Sequence, residues 1–223
     1  MSVGLVFCHG WGLSHRFWQP LRAALPDLPQ VVTEAGYLGD TAPSIDWSQA
    51  EHWVLIGHSR GWAHGWQDWS PAPNWAGTVS LCGFTHFCAR QAGEAGQAPR
   101  MVERMLKVLD TAPHAVLSDF LQRCGLGHLA PVPDQALNLT SLRADLASLL
   151  SLDVTEAFSA RPCPTLALAA RDDVIVSPAL SEQCFAHQPH AQLIWHEHGG
   201  HALGHVHADA CAQHIRTFVQ AWC

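Results

Sequence analysis

A serine between two glycines is the first feature of this sequence that could do chemistry. Residues 57–61 read Gly-His-Ser-Arg-Gly and directly follow a four-residue apolar run at 53–56. In this pattern a strand gives way to a helix through a sharp turn that exposes the serine, and the glycines let strand and helix approach closely. The pentapeptide alone arises by chance fairly often. Its position directly after an apolar run strengthens the prediction that Ser59 is a nucleophile.

A nucleophilic serine needs a base and a carboxylate that orients the base, and candidates for both lie further along the chain. Asp172 and Asp173 follow one apolar run, and His201 follows the next. The order serine, aspartate, histidine fits this kind of site, and parallel sheets place their sites at the carboxyl ends of strands. We therefore predict a triad of Ser59, Asp173 and His201, with Asp172 as the competing acid.

An oxyanion hole requires two backbone N–H groups near the nucleophile. One should belong to the residue after the serine, and the other to the loop after the first strand. These residues are Arg60 and Trp11, and the latter lies within His-Gly-Trp-Gly at 9–12. The alternative interpretation of residues 9–12 is a plain turn at a strand end.

The elements that must position these residues follow from the apolar pattern. Short apolar runs separated by helical patterns predict an α/β protein, with a mostly parallel sheet of about six strands flanked by helices. The predicted strands are 3–8, 30–33, 53–56, 77–82, 165–169 and 192–196. The predicted helices are 14–25, 61–68, 100–109, 114–124, 139–152 and 208–222, of which 61–68 has a poor helical composition. Because residues 84–160 show no strand pattern, we predict a core of 1–83 and 161–223 with a helical lid at 84–160.

Composition excludes several classes of function. The formal net charge is −7 with only 12 lysines and arginines, which argues against nucleic-acid binding. No apolar stretch is long enough to span a membrane, and the first residues lack the basic region of a signal peptide. The eight cysteines form no C-x-x-C pair, which indicates free thiols in a reducing compartment. We expect a cytoplasmic monomer that binds neither nucleic acid nor membrane.

A histidine-rich segment offers a different chemistry. Its members are His196, His198, His201, His205 and His207. Alternating histidines at a strand end can bind zinc. However, no aspartate stands at a ligating spacing beside them, and a metal site would leave the serine motif, the 9–12 loop and the Asp-Asp pair unexplained. We predict no metal ligands and interpret the extra histidines as surface residues.

Three stretches resemble one group of enzymes. They are Leu-Val-Phe-Cys-His-Gly-Trp-Gly-Leu-Ser at 5–14, residues 142–153 with Pro-Cys-Pro-Thr at 162–165, and Phe-Cys-Ala-Arg at 87–90. With the serine motif they resemble the α/β-hydrolase family and, within it, the pimeloyl-carrier-protein methyl ester esterases of biotin synthesis. His58 and Arg60 depart from that group, which usually has an aromatic residue before the serine and a small apolar residue after it. Ala170 stands where a glycine is usual.

The resemblance implies a serine carboxylesterase that needs no cofactor. Its substrate would be a small acyl ester, in this group a methyl ester carried on acyl carrier protein. Basic side chains of the lid could bind an acidic carrier, although a solvated helix face is the alternative interpretation. These side chains are Arg100, Arg104, Lys107 and Arg123. We expect His58, Phe84 and Phe120 to contact the substrate, although the two phenylalanines could equally be core residues.

The same sequence features allow three other functions. A general carboxylesterase or thioesterase acting on small acyl groups would use the same triad. A noncatalytic binding protein of the same fold would usually lack one triad member, whereas this chain has candidates for all three. A metal-dependent hydrolase would use the histidine-rich segment instead.

Overall fold

A six-stranded parallel sheet forms the centre of the protein. The computed structural model describes residues 2–40, 46–68, 74–132, 134–161 and 163–221. The strands are β1 (Val3–Cys8), β2 (Gln30–Val32), β3 (His52–His58), β4 (Trp75–Leu81), β5 (Thr165–Ala170) and β6 (Ala191–His196). Their spatial order is β2-β1-β3-β4-β5-β6, and every neighbouring pair is parallel. The prediction of a mostly parallel sheet of about six strands is confirmed.

Burial explains why the strands read as continuous apolar runs. Every residue of β1 and β5 is buried, and β3 and β4 are buried except at their first residues. A parallel sheet covered by helices buries both of its faces, so alternation of apolar and polar residues is lost. At the edge of the sheet, β6 is only half-buried.

The helices differ from the prediction at several boundaries. They are α1 (Gln19–Ala23), α2 (Arg60–Asp68), α3 (Pro99–Leu109), α4 (Pro113–Arg123), α5 (Leu139–Ser148), α6 (Thr155–Ala160), α7 (Pro178–Phe185), α8 (Leu203–Val206) and α9 (Ala208–Gln220). The predicted helix at 14–25 is divided into a 3-10 helix, His15–Trp18, and α1. The predicted helix at 139–152 ends at Ser148. Helices α6, α7 and α8 were not predicted, and the predicted end of the last helix at Trp222 lies outside the described residues.

The segment between β4 and β5 is helical, as its pattern indicates. Helices α3 to α6 lie there, and α3 packs against both α4 and α5. The described part of residues 84–160 contains two isolated β-bridges but no strand. The division of the chain into a core and a lid stays a prediction.

The order of the strands creates the place for a site. From β1 the chain moves outward to β2 and then returns to the other side of β1 as β3. The carboxyl ends of β1 and β3 therefore lie side by side, with Cys8 paired with Gly57. Open parallel sheets bind ligands at such a reversal. The loop at 9–12 and the turn at 57–61 both start here.

The cysteines form no disulfide among the described residues. The cysteines of that part of the chain are Cys8, Cys82, Cys88, Cys124, Cys163, Cys184 and Cys211. Cys223 lies outside the described part of the chain. Within that part, no helix combines the length and the apolar character needed to cross a bilayer.

Candidate active site

Ser59 occupies a strained turn between β3 and α2. Its φ of +54° lies in the left-handed region, which costs a non-glycine residue about 1–3 kcal/mol. A Cβ at Gly57 would come within 2.3 Å of Trp62 Cα, and a Cβ at Gly61 would come within 2.3 Å of the Cys8 carbonyl oxygen. Both positions therefore require glycine, and the resulting close packing holds the serine side chain at the top of the sheet.

A chain of hydrogen bonds links the three residues predicted to form a triad. The Ser59 hydroxyl Oγ lies 2.9 Å from His201 Nε2, and His201 Nδ1 lies 2.8 Å from Asp173 Oδ2. Because a carboxylate can only accept, Nδ1 carries the proton and Nε2 is free to accept from the serine. All three residues are buried. The arrangement can take a proton from Ser59 and stabilise the positive imidazole that results.

The two neighbouring aspartates have different partners. Asp173 Oδ1 accepts from the N–H groups of Ile175 and Val176 at 2.8 and 2.9 Å, which orients its other oxygen towards His201. Asp172 instead accepts from the N–H of Gly200 at 2.8 Å. It secures the loop that carries His201 without contacting the imidazole. The structure thus separates the two candidate acids by position.

The predicted oxyanion donors flank the serine. Trp11 and Arg60 line the same small cavity as Ser59. Neither backbone N–H donates to an acceptor within the described ranges. Arg60 is the first residue of α2, where N–H groups have no partner inside the helix. Two free N–H groups beside a nucleophile can stabilise a developing negative oxygen.

Apolar side chains enclose this cavity. Its volume is about 20 Å³, which is room for about one water molecule. Phe84 and Phe120 are among the residues that line it. A larger groove of about 420 Å³ lies next to it, between helices α3 and α4. Met101, Met105, Phe120 and Arg123 line both spaces and therefore stand between them.

His58 does not line the cavity, contrary to the expectation that it contacts the substrate. It is 1% exposed, and its Nε2 lies 2.8 Å from the backbone oxygen of His201. Its ring packs against Phe17, with centroids 4.3 Å apart. The side chain of the last residue of β3 points under the site, because successive side chains on a strand alternate in direction.

Two residues near the site were given no role in the sequence analysis. Asp145 of α5 accepts a hydrogen bond from Arg60 Nη2 at 2.5 Å and one from Tyr37 Oη at 2.5 Å. Glu34, after β2, lies 3.0 Å from Nε2 of His9 in the oxyanion loop. Asp145 lies in the 142–153 stretch named above, but that stretch gave no role for it, and Glu34 belongs to no motif.

The histidine-rich segment does not converge on one point. His201 faces Ser59, whereas His205 Nδ1 contacts the Phe17 carbonyl at 2.9 Å and the His196 ring packs against His214. Among the described residues, two groups of potential ligands have donor atoms within 4.8 Å of one another. They are Cys82 with Asp173 and His201, and His15 with Glu34 and Asp40. His201 is the only member of the histidine-rich segment in either group, so the geometry of the described residues does not fit a metal centre built from this segment.

Comparison with solved structures identifies the architecture. A bromoperoxidase from Bacillus anthracis superimposes with a TM-score of 0.83 over 99% of this chain and 92% of that chain, at 14% identity. The chain has the α/β-hydrolase fold. An esterase from Exiguobacterium antarcticum gives 0.81 over 99% and 92%, at 13% identity. An esterase from Rhodococcus sp. gives 0.71 over 100% and 92%, at 20% identity.

These similarities concern the fold, since all three identities are low. No family model matches the sequence, and the search of curated proteins finds no match.

Proposed function

We propose that this protein is a serine hydrolase that cleaves carboxylic esters. One observation carries the proposal: the 2.9 Å and 2.8 Å contacts that join Ser59, His201 and Asp173 beside two free backbone N–H groups. Esterases among the structural neighbours support the same assignment. A binding protein would have no need of this alignment.

The reaction would proceed in two steps. His201 Nε2 takes the Ser59 proton while Oγ attacks the ester carbonyl carbon, and the carbonyl oxygen becomes negative beside the N–H groups of Trp11 and Arg60. The protonated His201 then gives its proton to the departing alkoxide, which leaves an acyl-serine and an alcohol. Water, deprotonated by His201, releases the acid and restores the serine. Asp173 holds the imidazole orientation throughout.

The cavity supports a small acyl group as the part of the substrate next to Ser59. With room for about one water molecule, it must widen to admit even an acetyl ester. Movement of Met101, Met105 and Phe120 would join it to the groove between α3 and α4. Residues 84–160 would then serve as the lid.

Labelling and turnover test the proposal together. The native chain should react with a fluorophosphonate and hydrolyse p-nitrophenyl acetate, and Ser59→Ala should do neither. Ser80→Ala is the matched control, because Ser80 is also buried and its hydroxyl has no partner among the described residues. Full turnover by Ser59→Ala, or loss of turnover with a chelator and no labelling, would refute the serine mechanism. Parallel assays with acyl thioesters separate an esterase from a thioesterase.

Within this class, the methyl ester of a carrier-bound dicarboxylate is the specific substrate that we propose. The stretches that resemble biotin-synthesis esterases support it. Arg104 and Arg123 line the groove, and Arg123 also lines the cavity beside it. Neither arginine has an ion-pair partner in the described ranges. Their positive charges suit an acidic carrier protein of the cytoplasm.

Genetic complementation tests this finer proposal. The native chain should restore growth of a biotin-requiring strain that lacks its own esterase, and Ser59→Ala should not. Arg104→Glu should weaken growth while leaving hydrolysis of p-nitrophenyl acetate unchanged, because Arg104 lines the groove and not the cavity that contains Ser59. Absence of growth together with normal hydrolysis of short esters would favour a general carboxylesterase.

A further inference from the structure

One face of helix α5 is directed at both oxyanion residues. Leu142, Asp145 and Ser148 are spaced three residues apart, so they lie on the same side of the helix. Each of them accepts a hydrogen bond from Trp11 or Arg60. The two residues proposed to supply the oxyanion N–H groups are thus held by a single element of the segment between β4 and β5.

The contacts are short and largely buried. Trp11 Nε1 donates to the Leu142 carbonyl at 2.8 Å. Arg60 Nη2 donates to Asp145 Oδ1 at 2.5 Å, and Arg60 Nε donates to Ser148 Oγ at 3.2 Å. The Arg60 side chain is only 9% exposed, so its charge depends on Asp145 for compensation rather than on water.

Asp145 is itself held from a second direction. Tyr37 donates from Oη to Asp145 Oδ2 at 2.5 Å, so each carboxylate oxygen has its own donor. The Tyr37 carbonyl in turn accepts from the N–H of Asn138, which caps α5. Burial, reinforced by the negative charge of Asp145, raises the pKa of Tyr37 well above its usual value, so the phenol keeps the proton that it donates.

We infer that Asp145 is a positioning residue that sets the oxyanion hole through Arg60. The inference rests on the proposed function. The N–H of Arg60 and its guanidinium belong to one residue, and fixing the guanidinium at α5 restricts rotation of the first turn of α2. Helix α5 must be docked for both donors to point at the same oxygen. Docking of the lid and completion of the oxyanion hole are thereby one event.

The expected signature is a loss in kcat with little change in KM, because the oxyanion exists only in the transition state. Complete removal of one oxyanion donor costs about 10²–10³ in kcat. A donor that is present but poorly held should cost less. We expect Asp145→Asn to lower kcat by about 10- to 100-fold, and Tyr37→Phe by about 2- to 10-fold.

The experiment compares Asp145→Asn and Tyr37→Phe with Arg143→Ala. Arg143 lies on the same helix and pairs with Asp110 at 2.5 Å on the exposed surface, so it is a matched loss of an ion pair away from the site. Values of kcat and KM for p-nitrophenyl acetate and the rate of fluorophosphonate labelling are measured for each. Asp145→Glu, which keeps the charge, should recover part of kcat. If Asp145→Asn does not fold, Asp145→Glu and Tyr37→Phe are compared with Arg143→Ala instead.

A double-mutant cycle adds a readout that a merely structural role would not affect. Arg60→Met, Asp145→Leu and the double variant should lower kcat non-additively, because either change removes the same link. Additive losses, a loss confined to KM, or kcat values equal to that of Arg143→Ala would overturn the inference.

Failure of the inference is distinguishable from failure of the proposed function. If the native chain is labelled at Ser59 and turns over ester, the proposed function stands and the Asp145 variants decide the inference. If the native chain shows neither Ser59-dependent labelling nor turnover, both are wrong.

Discussion

His58 Nε2 donates a hydrogen bond to the backbone carbonyl of His201 at 2.8 Å. The residue before the proposed nucleophile thus supports the backbone of the proposed base. Burial, together with repulsion from His201 when that imidazole is protonated, lowers the pKa of His58 well below its usual value. The ring is therefore neutral, and its Nδ1 has no hydrogen-bond partner in the described structure.

His58→Phe should weaken folding at neutral pH and reduce its sensitivity to mild acid. The change leaves a buried carbonyl without its donor, which costs about 1–3 kcal/mol. In the native chain the unfolded state binds a proton at His58 below about pH 6.5 and the folded state does not, so the free energy of unfolding falls as pH decreases. Urea unfolding at pH 8 and pH 5.5 should show a smaller difference for the variant. Identical differences for both chains would contradict this role.

Asp173→Asn should lower kcat on the order of 10³- to 10⁴-fold, because the amide would favour the wrong tautomer of His201. Asp172→Asn is the matched control. It should cost less than about tenfold, since Asp172 contacts the loop at Gly200 and not the imidazole. Steady-state kinetics on p-nitrophenyl acetate measures both. A larger loss of kcat for Asp172→Asn than for Asp173→Asn would show that Asp172, and not Asp173, is the triad acid.

Phe120→Ala should broaden the acyl range. Phe120 stands between the small cavity and the groove, so its truncation joins the two spaces. The ratio of kcat/KM for p-nitrophenyl octanoate over acetate should rise about tenfold, within the 10- to 200-fold range of pocket discrimination. Val116→Ala is the control, because Val116 lines the groove but not the cavity. An unchanged ratio for Phe120→Ala would mean that acyl chains do not enter between α3 and α4.

Glu34→Gln should lower the free energy of unfolding at neutral pH and make this free energy less dependent on pH below 4.5. Burial raises the pKa of Glu34, but the hydrogen bond and charge of His9 and the N–H groups of His15 and Gly36 outweigh it and lower the pKa from 4.5 to about 2. Such a shift contributes on the order of 3 kcal/mol above pH 4.5, and the contribution is lost as pH falls towards 2.

Glu51→Gln serves as the control for this prediction, because Glu51 is exposed and accepts from the Ser2 N–H. Chemical denaturation across pH 2–7 compares the two variants with the native chain. An equal dependence of this free energy on pH for Glu34→Gln and the native chain would show that the His9–Glu34 contact does not stabilise the fold.

Much of this molecule was predictable because the relevant signals are local. The strand preceding Ser59 is buried on both faces, so it appears in the sequence as an apolar run. The close contacts around positions 57 and 61 leave no room for a side chain, so both positions are glycine. Asp173 and His201 follow strands that end at the same edge of the sheet. Their order along the chain therefore predicted that they would meet.

Other features depended on packing between distant segments. Asp172 and Asp173 are adjacent on one turn, and each side chain points towards the loop N–H groups that donate hydrogen bonds to it. The spacing of residues along the sequence does not reveal these donors. His58 was predicted to face the substrate but lies beneath the site, because the direction of a side chain at a strand end follows from the pleat and the turn. Helix boundaries at Trp18 and Ser148 similarly followed from packing.

The sequence by itself determined the parallel α/β sheet and the residue types at the edge where Ser59, Asp173 and His201 meet, because these follow from periodicity and from the sterics of a single turn. Only the tertiary structure decided how Arg60 meets Asp145, 85 residues away. That contact depends on where helix α5 docks, and docking is a sum of many weak contacts that no local pattern encodes.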